Sequence, residues 1–207
     1  FPAVSLRWNV IDEEWMEPTK DWLSMLSIRP SWGRVGNAPN ADYLYESKYG
    51  VGNRYLDMSS MSPLNIRLSD LRWEKVSTYD VGMDIGFFED KLNVTLDWYK
   101  SKTEDMLMPD VRIPSSTGYK TLPVKNVGSM RNTGWELNID TREVVKRGKF
   151  GFDFNLAFGN NYNEILEMDP TVLKSLNSDF NYGNREVLQR VQIGNPFGAI
   201  YGFRYKG

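Results

Sequence analysis

Residues 73–108 read WEKVSTYDVGMDIGFFEDKLNVTLDWYKSKTEDMLM, and the spacing within them decides the fold. Tyr79, Val81, Met83, Ile85 and Phe87 are apolar at every second position, and the intervening Thr78, Asp80, Gly82, Asp84 and Gly86 are polar or lack a side chain. After Phe88, Glu89, Asp90 and Lys91 the apolar set resumes at Leu92, Val94, Leu96 and Trp98, alternating with Asn93, Thr95, Asp97 and Tyr99. A repeat of two puts successive side chains on opposite faces of a strand, whereas a helix needs apolar residues at i, i+3, i+4 and i+7. The stretch is a β-hairpin that turns at residues 88–91, with one apolar and one polar face.

The same alternation recurs outward from it. Val4, Leu6, Trp8 and Val10 oppose Ala3, Ser5, Arg7 and Asn9, and Leu26, Ile28 and Trp32 oppose Ser27, Arg29, Ser31 and Gly33. Pro30 lies inside the second run and deletes a ladder donor, so a bulge or local irregularity is expected there. Residues 12–16 open with acidic side chains and read as a short helical turn limited by Pro18. Beyond the hairpin, Trp135, Leu137 and Ile139 alternate with Glu136, Asn138, Asp140 and Arg142. A tight turn at residues 145–148 leads into Phe150, Phe152, Phe154, Leu156 and Phe158, opposed to Gly151, Asp153, Asn155 and Ala157. Residues 163–168 could form a helical turn, and residues 191–206 read as a last strand with Phe197, Ala199, Tyr201, Phe203 and Tyr205 on one face. The class is all-β, an antiparallel meander, with long loops near residues 34–70, 109–126 and 160–190.

The order of connections carries further information. After the second strand it runs long loop, tight turn, long loop, tight turn, long loop, which sends tight turns to one end of the sheet and long loops to the other. Transmembrane barrels of the outer-membrane type have that asymmetry and strands of about ten alternating residues. A soluble sandwich also alternates, but it has less reason to sort its loops and must bury its apolar faces.

Composition removes whole classes of chemistry. Among 207 residues there is no cysteine and no histidine, which excludes thiolate chemistry, disulfides, His-based zinc sites and Ser-His-Asp catalysis. The net charge of −2, with dispersed basic residues, offers no field for nucleic acid. Seven Trp and eleven Tyr in a chain of mean hydropathy −0.50 suit a carbohydrate-contacting surface or the water interfaces of a membrane barrel. No apolar run approaches the about 18 residues of a membrane helix. The chain starts at Phe1 and stops in a strand-like run, and is read as a segment of something larger.

Candidate sites are weighed against plainer roles. Paired carboxylates could serve glycoside hydrolysis, but alternating strand aspartates account for them, and no enzyme is expected. Gly50-Val51-Gly52 has no third glycine or strand-turn-helix context for phosphate. Asn93-Val94-Thr95 matches a glycosylation sequon only inside a strand. Glu104, Asp105 and Asp110 lack the spacing of a calcium loop. Neither metal nor cofactor is expected. Loop aromatics Tyr43, Tyr45, Tyr49, Tyr55, Tyr119, Phe180 and Tyr182 could stack on sugar rings or contact a peptide or partner protein, or pack within the loops.

The segments FPAVSLRWNVIDEEWM, LSIRPSWGRVGN, the stretch from Leu71 to Met108, NVGSMRNTGWELNID and NPFGAIYGFRYKG resemble, in that order, the barrel region of SusC/RagA-type TonB-dependent outer-membrane transporters. The resemblance implies a barrel of about 22 strands, a plug domain and TonB box outside this segment, a surface lipoprotein partner of the SusD type, and multi-pass placement in a Gram-negative outer membrane. It implies energised uptake of a large nutrient, a glycan or peptide, with this segment supplying wall and extracellular loops. The apolar faces then meet lipid, since a closed barrel is the only β solution there. The expected lumen-facing or plug-contacting residues are Asp80, Asp84, Asn93, Thr95, Asp97, Glu136, Asn138, Asp140, Asp153 and Asn155. Trp8, Phe87, Phe88, Trp98 and Trp135 are expected in an aromatic girdle near strand ends, and the 88–91 turn on the periplasmic side. The reading from another class is a secreted all-β carbohydrate-binding module.

Overall fold

The computed structural model describes residues 1–40, 42–55, 58–113, 115–119, 121–142, 145–147, 150–177 and 188–201. In chain order the strands are β1 (Ala3–Ser5), β2 (Trp8–Asn9), β3 (Leu23–Asn37), β4 (Tyr49–Tyr55), β5 (Met58–Pro63), β6 (Glu74–Phe87), β7 (Leu92–Arg112), β8 (Thr121–Thr141), β9 (Val145–Arg147), β10 (Phe150–Phe152), β11 (Asn155–Met168), β12 (Leu188–Arg190) and β13 (Ala199–Tyr201). Among the described residues helix is confined to α1 (Pro170–Leu176) and to 3-10 turns at Val10–Asp12, Glu14–Thr19 and Ser115–Thr117. One seven-stranded sheet runs β1-β3-β6-β7-β8-β11, with β2 also on β3, and three separate hairpins pair β4 with β5, β9 with β10 and β12 with β13. The fold is the expected all-β meander, and the sheet is open in this segment, with β1 and β11 at its edges.

Pro30 behaves differently from the expected bulge. Ser5 pairs with Ser31 and Trp8 with Ile28 in one unshifted register. Leu6 N donates to Pro30 O at 3.0 Å, but Pro30 has no N–H to return the bond. The interruption therefore falls on the partner, between β1 and β2, while β3 runs unbroken through Pro30. Pro18 likewise lies inside the Glu14–Thr19 turn and does not end it.

The strands also run further than alternation indicated. Within residues 34–70, β3 continues to Asn37 and the β4–β5 hairpin follows; within 109–126, β7 reaches Arg112 and β8 begins at Thr121. Residues 163–168 are strand, the end of β11, and the short helix comes next as α1. Of the expected strand at 191–206, the described residues 191–201 hold strand only at Ala199–Tyr201, paired with β12; residues 202–207 lie outside the described residues. The turn expected at 145–148 comes later: Val145–Arg147 are strand β9, whose Arg147 pairs with Phe150 of β10, and residues 148–149 between them lie outside the described residues. Aspartates explain part of the discrepancy in β7. Asp105 and Asp110 have φ of 54° and 51° inside the strand, so the strand kinks there as at a bulge and re-aims its side chains. Met106, Leu107 and Met108 thus break the alternation without ending the strand, and Met106 and Met108 pack on a core.

The contacts divide the chain into two compact units. The first comprises Phe1–Val35, Val76–Lys102 and Arg131–Asn163, and its connections include the 10–22 and 88–91 turns. Its core is small: Val10, Met16 and Leu23, with Ile11, Leu26, Ile28, Ile85 and Phe87 around them. The second comprises Gly36–Lys75, Thr103–Met130 and Glu164–Gly207 and holds the long connections. There Val111, Val127, Ile165, Met168, Val172 and Val191 form the core.

The hairpin turn is built from left-handed backbone. Phe88, Glu89 and Asp90 have φ of 52°, 57° and 63°, a hand that matches the twist of the flanking strands but costs non-glycine residues about 1–2 kcal/mol each. Local bonds hold it: Phe88 N donates to Trp22 O (2.9 Å), Asp90 N to Ser24 Oγ (3.1 Å), Ser24 Oγ to Asp90 Oδ1 (2.7 Å) and Asn93 Nδ2 to Asp90 O (2.9 Å).

Candidate functional site: an inside-out wall

In the first unit the alternation has an inverted outcome. Val4, Leu6, Tyr79, Val81, Leu96, Trp98, Trp135, Leu156 and Phe158 stand exposed, Val81 by 43%, on the apolar faces that a water-soluble protein would cover. The carboxylate of Asp84, on the opposite face, is only 14% exposed.

That carboxylate organises the polar face. Arg29 grips it through both prongs, Nε to Oδ2 at 2.8 Å and Nη2 to Oδ1 at 3.0 Å, and reaches Asp97 Oδ1 at 3.2 Å. Ser27, almost fully buried, donates to Asp84 Oδ2 (3.1 Å) and accepts from Arg7 Nη2 (3.2 Å). Register dictates the assembly: Arg7 faces Arg29 across the β1/β2–β3 ladder, and Arg29 lies between the carboxylates of β6 and β7. A bidentate pair orders both planes, and such a pair needs a flat bed. Gly82 supplies it, because a Cβ there would run into Asp97 and stand 2.7 Å from Arg29 Nη2. Gly134 serves Tyr99 in the same way, since a Cβ would lie 2.5 Å from the phenol.

The ten expected lumen-facing residues therefore divide. Asp84 and Asp97 are joined through Arg29, and Asp80 lies half-buried beside them. Thr95 is half-buried, and Asn93 closes the turn. Asp140 and Asn155 meet at 3.4 Å, whereas Glu136, Asn138 and Asp153 are exposed. Alternation found the acids and not their organisers, Arg7, Ser27 and Arg29. The cue for those was available in the alternating runs that hold them, residues 3–10 for Arg7 and 26–33 for Ser27 and Arg29.

The girdle aromatics are placed less simply. Trp98 is the seventh residue of β7 and Trp135 the seventh from the end of β8, so neither is terminal, because both strands are 21 residues long. Phe87 and Trp22 stack at 6.0 Å beside Phe88, at the turn.

In the second unit three asparagines hold long connections by imitating a strand. Asn65 accepts from Lys48 N (2.7 Å) and donates to Glu46 O (3.0 Å). Asn126 accepts from Arg72 N (2.8 Å) and donates to Arg72 O (2.9 Å) and Asp105 O (2.6 Å). Asn177 accepts from Val191 N (3.2 Å) and donates to Val191 O (2.9 Å). Each amide bonds backbone groups much as a neighbouring strand would. Asp169 caps α1 through Thr171 N (2.8 Å) and Val172 N (3.2 Å) and pairs with Lys125 at 2.6 Å. The Lys125 contact, with the two amide bonds behind it, holds its carboxyl below the usual range against the opposing effect of burial.

Of the loop aromatics, Tyr43 and Tyr45 are exposed with rings 6.4 Å apart, and Tyr119 is half-buried. Phe180, Tyr182 and the side chain of Tyr55 lie outside what the structure describes. Asp105 is engaged by Lys75 at 3.3 Å, and among the described residues no group of three acids or other ligands is placed to hold a metal. No described helix is long and apolar enough to cross a membrane, which leaves crossing by strands open.

A sheet with exposed apolar side chains on one face and paired charges on the other is the wall of a membrane β-barrel. The chain belongs to the TonB-dependent receptor family, whose model, described as TonB dependent receptor-like, beta-barrel, matches residues 1–204. It is 29% identical over its full length to a TonB-dependent receptor of Formosa agariphila and covers 19% of it. It is 28% identical to the TonB-dependent receptor SusC of Bacteroides thetaiotaomicron, over 97% of this chain and 21% of SusC. Among solved structures, the RagAB peptide importer in its closed-closed state superposes with a TM-score of 0.76 at 27% identity, over 94% of this chain and 20% of that one. The chain thus spans about a fifth of the length of these relatives. The family implies the outer membrane, and the relatives are receptors and transporters rather than enzymes.

Proposed function

We propose that this chain forms barrel wall and extracellular loops of a receptor that takes up a large nutrient, a glycan or peptide, across the outer membrane of a Gram-negative bacterium. One observation carries the reading: apolar side chains are exposed along the first unit while Arg29, Asp84 and Asp97 pair on the reverse face. In lipid that polarity is stable, because the apolar face needs no protein cover and the charges face a wet lumen or plug. The other expected lumen residues line the same side. Strands of 14 to 21 residues exceed the about 9–11 that a tilted membrane strand requires, leaving length for a rim that carries the loops.

The tied loops fit capture of cargo, with Tyr43 and Tyr45 as a contact pair and the other loop tyrosines in support. A SusD-like surface lipoprotein is the expected lid. TonB would act through a part of the protein beyond these residues, and the 88–91 turn would face the periplasm. RagAB is a peptide importer, which supports a peptide cargo as one of the two classes. Fractionation of the full-length protein from its native type of host tests the reading. Recovery with outer membranes and release only by detergent is expected; recovery in the soluble fraction without detergent would overturn it.

A further inference from the structure

Resting on the lipid-facing assignment above, we infer that residues 10–22 form an interfacial foot that binds ammonium-bearing phospholipid head groups and turns anionic ones away. The foot folds onto the apolar side of the wall. Val10, Met16 and Leu23 are buried against Leu26, Ile28, Ile85 and Phe87, which alternate with the residues of the polar network, Ser27, Arg29 and Asp84. It is therefore continuous with the lipid-facing surface at the turn end of the first unit. Its rim is aromatic: Trp15 is 63% exposed, and Trp8, Trp22 and Phe88 are exposed beside it. Trp8 Nε1 is satisfied by Glu13 Oε1 at 2.8 Å, and Trp22 lies flat on Phe87. Rings with an apolar body and a satisfied polar edge favour the head-group level of a bilayer.

The charge identifies the occupant. Segments lying in this layer are ordinarily basic, because the lipids they meet are anionic. Residues 10–22 reverse the sign, with Asp12, Glu13, Glu14, Glu17 and Asp21 against one lysine, which Glu17 holds. Beside phosphatidylglycerol these carboxylates would be repelled. Beside phosphatidylethanolamine, the ammonium can donate to the carboxylates and sit over an exposed indole.

The test uses the full-length receptor, stripped of lipid in detergent and titrated with phosphatidylethanolamine or phosphatidylglycerol, with bound lipid counted by native mass spectrometry. We expect at least about fivefold preferential retention of phosphatidylethanolamine, the factor for about one unit charge at an anionic surface. The triple variant Asp12→Asn, Glu14→Gln, Asp21→Asn leaves the Trp8–Glu13 and Lys20–Glu17 contacts in place and should abolish the preference. Trp15→Ala should lower retention of phosphatidylethanolamine, with unchanged heat-modifiable mobility reporting an intact barrel. Equal retention of the two lipids by the native protein, or an undiminished preference in the triple variant, overturns the inference. A membrane-bound barrel without head-group preference defeats this inference alone, whereas a soluble protein defeats the transporter reading beneath it.

Discussion

Val81 and Asp80 are neighbours in β6 that face opposite sides of the wall, so arginine at each position interrogates one side. Val81 is 43% exposed and is the eighth residue of a fourteen-residue strand, well away from either end. If that face meets hydrocarbon near the midplane, Val81→Arg costs about 2–4 kcal/mol, which is roughly a 30- to 800-fold shift between folded and unfolded populations. Asp80 lies beside Arg29 and Asp97, on the face that also carries Arg7 and Asp84. Reversing it turns one excess acid into one excess base, and the half-exposed setting keeps the cost within about 1 kcal/mol. The assay is urea titration of the full-length receptor in lipid vesicles, read by heat-modifiable electrophoretic mobility, with Asp80→Asn as a neutral comparison. Val81→Arg should lower the midpoint far more than Asp80→Arg. Equal tolerance of the two, or greater damage from Asp80→Arg, would refute the facial assignment and the membrane reading with it.

Gly128 has a φ of 157° on β8, and a Cβ there would be driven into the Glu167 carbonyl of β11, which is backbone and cannot swing aside; Gly128→Ala should cost at least about 2 kcal/mol in the same titration, and a change under about 0.5 would reject the packing. Asn126→Ala removes three backbone-directed bonds worth about 1 kcal/mol each. The Arg72 amide should then exchange hydrogen at least tenfold faster, with unchanged protection counting against the clip. The Asp169 carboxyl is held low by Lys125, so its contribution to stability is complete above the ordinary carboxylate value of 3.8 and is lost as pH falls through the lower folded value. Proteolytic opening around α1 should therefore rise only in strong acid, and Asp169→Asn should flatten that dependence; onset near neutral pH would contradict it.

Much of the wall was legible in the alternation. The turn at 88–91, the apolar set of β6 and the acids opposite it all follow from the two-residue repeat, because a strand offers only two faces. The failures share a cause. Asn65, Asn126 and Asn177 sit in polar stretches that look irregular, and nothing local marks an amide that pairs with a backbone many residues away. The end of β7 was hidden by Asp105 and Asp110, whose left-handed backbone re-phases the strand so that three apolar residues in succession still belong to it. Pro30 was correctly read as a missing donor, yet the effect landed on the partner, since a ladder bond has two ends.

By itself, the sequence determined that this chain is β-structured with unlike faces and, lacking histidine and cysteine, has no access to the chemistries that depend on them. Periodicity and composition are local properties and need no partner to be read. Only the tertiary structure decided that the apolar faces remain exposed while Arg29 lies across Gly82 to join Asp84 and Asp97, and that residues 10–22 fold onto the apolar side. Exposure, register and the meeting of residues more than fifty positions apart arise when strands pair, and strand order places those residues together.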